Sequence, residues 1–102
     1  MQDLRLVREF KRRAEAALPG RVARVVLFGS RAREDARADS DWDIAVFLRD
    51  GASSRDTLTL ADAAYDLIVE SGQFIQPVAV SDAQAVGDGP LLGSIAREGI
   101  EL

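Results

Sequence analysis

Between Gln2 and Leu18 the apolar residues Leu4, Val7, Phe10, Ala14 and Ala17-Leu18 recur every three to four positions, which gathers them on one face of a helix. Pro19-Gly20 stops that helix. The next run, Val22 to Phe28, is aliphatic on both alternating faces except at Arg24, the pattern of a central strand covered by helices on both sides. It ends abruptly at Gly29-Ser30, where Ser30 can cap a short helix reaching about Glu34, and Asp35 to Ser40 has the polar composition of a loop. From Asp41 to Leu48 the alternation splits cleanly: Trp42, Ile44, Val46 and Leu48 fall on one face, and Asp41, Asp43, Ala45 and Phe47 on the other.

Arg49 to Ala52 reads as a turn, after which Ser53 or Ser54 can cap a long helix to about Glu70. That helix carries Leu58, Ala61, Tyr65 and Ile68 on one stripe and Leu60, Ala64 and Leu67 on the next, a wider apolar surface than one sheet contact requires. The surplus, around Leu60, Ala64 and Leu67, is expected to face a partner. Gly72 ends the helix, and Phe74 to Val80 is a strand that Pro77 pushes toward a sheet edge or a bulge. After a polar loop from Ser81 to Gly89, Pro90 opens a last helix to about Arg97, and Ile100 and Leu102 form an apolar tail. The expected class is α+β with layers of the α/β type, about three to four strands flanked by helices, in a single domain over residues 1–102.

Composition narrows the chemistry. The chain of 102 residues is 47% apolar, with no apolar run near the ~20 residues that span a bilayer, so no membrane contact is expected. The opening MQDLRLVREFKRRAEAAL lacks the apolar core of a secretory signal, and the expected location is the cytoplasm. With no cysteine and no histidine, disulfides and a structural zinc site are out, and any metal is a hard, oxygen-bound one such as Mg²⁺. A net charge of −4 with dispersed arginines argues against direct nucleic-acid binding, and Lys11-Arg12-Arg13 reads as a solvated helix face.

Two carboxylates at i and i+2 on one strand, Asp41 and Asp43, lie roughly 6–7 Å apart at their backbones and can converge on a divalent cation. Alone, such a pair also fits the solvent side of an amphipathic strand. Gly29 after a buried strand lets backbone approach a ligand, and the following helix start with Ser30 offers donors to an anion. Arg31 and Arg33 either serve that anion or pair with Glu34 and Asp35. Neither a Walker A loop nor a GxGxxG dinucleotide loop is present.

Taken together, strand, Gly29-Ser30, short helix and Ser40-Asp41-x-Asp43 resemble the GSxAxG…SDxD motif of the nucleotidyltransferase superfamily that includes DNA polymerase beta. The stretch GSRAR…DSDWDIAV and the ending REGIEL look like the minimal nucleotidyltransferase (MNT) domains that pair with small helical HEPN toxins in toxin-antitoxin modules. The resemblance implies the nucleotidyltransferase fold, with a mixed sheet. It also implies Mg²⁺ and ATP, and an antitoxin that transfers AMP to a hydroxyl, plausibly a tyrosine, of a HEPN partner. On this reading Gly29 and Ser30 hold phosphate, with Arg31 and Arg33 beside them, and Asp41 and Asp43 are the catalytic metal ligands.

Two positions depart from the family pattern. Glu34 stands where the family has glycine, and Phe74 to Val80 has Gln76 but no acid where active members place a third carboxylate. Glu70, Asp66 and Asp82 are the substitutes within reach in sequence. The alternative function is therefore a nucleotidyltransferase-fold binding module that neutralises its partner by contact. Trp42 and Tyr65 are expected to pack, Trp42 on the face away from the aspartates, and Ser53 and Ser54 to cap.

Overall fold

The alternation along the two apolar runs becomes a pair of antiparallel strands with different chemistry on their two faces. The structure is a computed structural model and describes residues 3–33, 40–84 and 89–102. Helix α1 (Arg5–Ala17) is followed by β1 (Val22–Phe28), the one-turn α2 (Ser30–Arg33) and β2 (Trp42–Leu48). Then come α3 (Ser54–Ser71), β3 (Ile75–Ser81), a 3₁₀ turn at Asp82–Gln84, α4 (Gly89–Glu98) and β4 (Ile100–Glu101). The four strands form one mixed sheet in the order β3-β2-β1-β4. β1 runs antiparallel to β2 and β4, while β2 and β3 are parallel. The parallel pair requires a crossover, and α3 supplies it.

Trp42, Ile44, Val46 and Leu48 are buried with Val25 and Leu27 of β1 under α1 and α3, which contribute Val7, Phe10, Leu60, Ala64 and Leu67. Ala45 and Phe47 face the other way, into a smaller cluster with Val26, Val80 and Ile95 of α4. Pro77 lies on β3 at the sheet edge, opposite Ile44.

Three expectations are corrected. Leu60, Ala64 and Leu67 do not face a partner: the sheet buries them, because they and the sheet-facing residues of α1 close one continuous core. Leu58, Tyr65 and Val69 are the outward apolar residues of α3, each more than half exposed, as is Phe74 before β3. Ser30 is the first residue of α2 and not its cap; the Gly29 carbonyl accepts from the N–H of Ala32 and Arg33. Ile100 and Leu102 are not a loose tail: β4 pairs with β1, and the Leu102 N–H donates to the Val25 carbonyl at 2.9 Å. Of the expected solvated bases, Lys11 donates to the Leu102 carbonyl at 2.6 Å, and Arg13 pairs with Glu9 and Glu70.

The start of α3 is fixed by a capping box between Ser53 and Asp56, each side chain accepting from the other's backbone N–H. Asp56 is buried and also takes two bonds from Arg21, at 2.7 and 2.9 Å. The Arg21 guanidinium, helped by Ser53, holds the Asp56 carboxyl at about 2 against an ordinary 3.8, although burial opposes the shift. A carboxyl depressed on folding stabilises the fold above its unfolded pKa, and that contribution is lost as pH falls through about 4 toward 2. Asp56→Asn is expected to lower Tm by roughly 5–10 °C at pH 7. Thermal melts followed by circular dichroism should show the gap to wild type closing toward pH 2.

Candidate functional site

The site is built where β1 ends and β2 begins. Antiparallel register sets Phe28 opposite Asp43, so the residue after Phe28 meets that carboxylate. Gly29 has φ +74°, in the left-handed region that glycine tolerates best. A Cβ on Gly29 would lie 2.5 Å from Asp43 Oδ2. The glycine is thus required twice, by its backbone angle and by the carboxylate packed against it. Ser30 follows at once as the first residue of α2.

Asp43 is partly buried in β2 and Asp41 is exposed just before the strand. Burial pushes the Asp43 carboxyl above its usual range, the Asp41 charge adds to the effect, and the Arg33 charge opposes it. Arg33 closes α2, and its Nη1 lies 2.8 Å from Glu98 Oε2 at the end of α4. Gly29, Ser30, Arg33, Asp41 and Asp43 therefore gather at one end of the two central strands, where β1 stops and β2 starts. Arg31 lies elsewhere: its guanidinium sits 4.3 Å over the Trp42 ring and donates to the Ser40 carbonyl at 2.8 and 3.2 Å, on the face of β2 opposite Asp43. Trp42 packs as expected, buried in the core with its Nε1 donating to Gln73 Oε1 at 2.7 Å. Glu34, at the place of the family glycine, lies outside the described residues.

None of the three substitute carboxylates joins the aspartates. Glu70 is held by both terminal nitrogens of Arg13, at 2.9 and 3.0 Å. Asp66 is exposed on α3, which packs on the Trp42 face of the sheet. Asp82 follows β3 at the end away from Gln76 and lies 3.5 Å from Arg24. Among the described residues no group of three or more metal-ligating side chains forms. The residue that parallel register puts beside Asp43, on the same face, is the exposed Gln76.

Asp41 and Asp43 suit a hard divalent cation in donor type, and the mutual repulsion at Asp43 is what such a cation would relieve. With no third carboxylate joining them among the described residues, they leave the remaining ligands to water and to the oxygens of a bound substrate. Sequence reasoning missed Glu98, inside the quoted ending REGIEL, and Asp56, which the Ser53-x-x-Asp56 spacing could have announced. A shallow groove of about 360 Å³ runs between α3 and β3, lined by Ala61, Tyr65, Ile68, Phe74, Gln76 and Pro77. No helix among the described residues is long and apolar enough to cross a membrane.

Comparison with known proteins agrees with this fold. The family model for polymerase beta nucleotidyltransferases matches residues 14–102. A solved candidate minimal nucleotidyltransferase is 29% identical, with 99% of this chain and 97% of that one covered and a TM-score of 0.62. A toxin-antitoxin structure with AMP-PNP is 20% identical, covering 90% of this chain and 68% of that one, with a TM-score of 0.65. The Shewanella oneidensis complex of a tri-AMPylated HEPN toxin with its MNT antitoxin is 17% identical over 90% and 70% of the two chains, with a TM-score of 0.53. No curated protein matches the chain.

Proposed function

This chain belongs to the polymerase beta nucleotidyltransferase family, and on that premise we propose that it is an MNT-type antitoxin that transfers AMP from Mg-ATP to a tyrosine hydroxyl of a HEPN-type toxin. The observation that carries the reading is the contact of Gly29 with Asp43, which sets a phosphate-accepting turn against a carboxylate at one strand end. Gly29 and Ser30 bind the β- and γ-phosphates, and Arg33 lends its charge to them. Asp41 and Asp43 hold Mg²⁺, which when bound neutralises charge at the phosphoryl oxygens. The acceptor oxygen attacks the α-phosphorus, the bond to the β-phosphate oxygen breaks, pyrophosphate leaves and the hydroxyl proton passes to solvent. Arg31, turned toward Trp42, keeps the approach to Asp41 in place through Ser40.

The partner named in this proposal rests on the resemblance and on the two toxin-antitoxin structures. A second reading, neutralisation by contact alone, is favoured by one observation: Gln76 stands beside Asp43, and among the described residues no third carboxylate is gathered there. The outward row of Leu58, Tyr65, Val69 and Phe74 then serves as the holding surface.

One experiment separates the two. Transfer of label from α-phosphate-labelled ATP to the co-expressed partner is measured for wild type and for Asp41→Asn with Asp43→Asn. Label that disappears in the variant supports the transferase; label that persists refutes the proposed site. Absent label in wild type, with the partner still bound and silenced, favours contact alone. Because burial and the neighbouring Asp41 charge both disfavour a charge at Asp43, Asp43→Asn is also expected to raise Tm by roughly 2–6 °C.

A further inference from the structure

We infer that Glu98 is a positioning residue of the nucleotide site, holding the Arg33 guanidinium at the strand ends where Gly29, Ser30 and Asp43 meet. The inference rests on the proposed nucleotide-binding reading and adds a residue to it from the far end of the chain.

Arg33 ends a single helical turn, and a long cationic side chain there has many rotamers open to it. Its Nη1 nevertheless lies 2.8 Å from Glu98 Oε2, across 65 residues of sequence. The same oxygen accepts from Ser94 Oγ at 3.3 Å, one turn back in α4, which fixes the carboxylate on its own helix. The helix end that carries Glu98 is itself fixed, because the backbone directly after it is packed against β1. A Cβ on Gly99 would stand 2.4 Å from both the Ile95 carbonyl oxygen and Val26 Cγ1, so α4 ends hard against β1. Ile100 then pairs with Leu27 on that strand.

As a source of stability the pair is weak, since Arg33 is 44% exposed at its side chain and surface pairs contribute little. Its geometric effect is larger: α4 covers the face of the sheet toward which Asp43 points, and Glu98 ties that helix to the cation whose charge reaches Asp43. A cation held there is preorganised for the phosphates of Mg-ATP; partners behind a metal ligand matter about 10–100-fold in affinity, and the lower end of that range is expected for the partner of this cation.

The test is titration calorimetry with Mg-ATP on wild type, Glu98→Gln, Glu98→Asp, and the exchange Arg33→Glu with Glu98→Arg, with Tm measured for each. Expected are affinity about 10-fold weaker in Glu98→Gln at nearly unchanged Tm, and recovery to within about 3-fold in Glu98→Asp. The exchange keeps an ion pair and the wild-type Tm but moves the cation to α4, so its affinity stays down by at least about 10-fold. A purely structural tie predicts the reverse, with affinity restored along with Tm, and that result overturns the inference. Unchanged affinity in Glu98→Gln overturns it as well. If wild type itself binds no Mg-ATP, the nucleotidyltransferase reading fails and Glu98 loses this role with it.

Discussion

Gly29→Ala is expected to reduce Mg-ATP binding and AMP transfer by at least about 100-fold while leaving a folded protein. Two effects act at one atom. At φ +74° an alanine methyl strains the backbone by about 1–2 kcal/mol. That methyl would also stand 2.5 Å from Asp43 Oδ2, far inside contact distance, and the carboxylate must swing away. The displaced group is half of the proposed cation-binding pair, and a shift of about 1 Å at a reacting site can cost about 100-fold. The core lies elsewhere, so circular dichroism should show native secondary structure with Tm lowered by roughly 5–15 °C. Calorimetry with Mg-ATP and the label-transfer assay read the loss. Near-wild-type nucleotide affinity in this variant would place the phosphate site somewhere other than this turn.

The second large effect is on stability. Gly99→Ala inserts a methyl between the last turn of α4 and β1, where the Ile95 carbonyl oxygen and Val26 Cγ1 leave no room. One of the two neighbours is backbone, so a side-chain rotation cannot relieve the clash. Overpacking of this kind costs about 1–3 kcal/mol, and the upper end is expected here, or roughly 10–15 °C in Tm. Loss of β4 pairing should follow, visible as faster hydrogen exchange at the Leu102 amide, which donates to Val25 in the intact fold. A melt within about 3 °C of wild type would show that α4 can shift without cost.

Much of this was legible along the chain because periodicity reports burial. The clean split of Asp41–Leu48 predicted which side chains meet the core, and Trp42, Ile44, Val46 and Leu48 do. Pro77 predicted an edge, and β3 is one. The candidate site was readable for a different reason: its turn and aspartates lie within fifteen positions, from Gly29 to Asp43, at adjacent strand ends.

What escaped depends on distance in sequence or on competition between faces. α3 has two apolar stripes, and pattern alone cannot say which one the sheet takes; Leu60, Ala64 and Leu67 were assigned outward although they go in. β4 is two residues long, too short for alternation to register, and exists because β1 offers it an open edge. Glu98 and Arg33 meet through tertiary structure, which no local window contains.

The position of Pro77 also bears on how the molecule coexists with copies of itself. An exposed strand edge is a template on which a second chain can extend the sheet, and growth from such edges is a route to aggregates. β3 is seven residues long and parallel to its one neighbour, so its outer side would otherwise be a long, evenly spaced template. A proline in an edge strand takes a place where its missing N–H faces outward, which interrupts that row of donors near its middle. A protein that approaches this side therefore cannot add a continuous strand and must bind through side chains. The residue that breaks the template sits one position after Gln76, on the same strand that lines the groove beside α3.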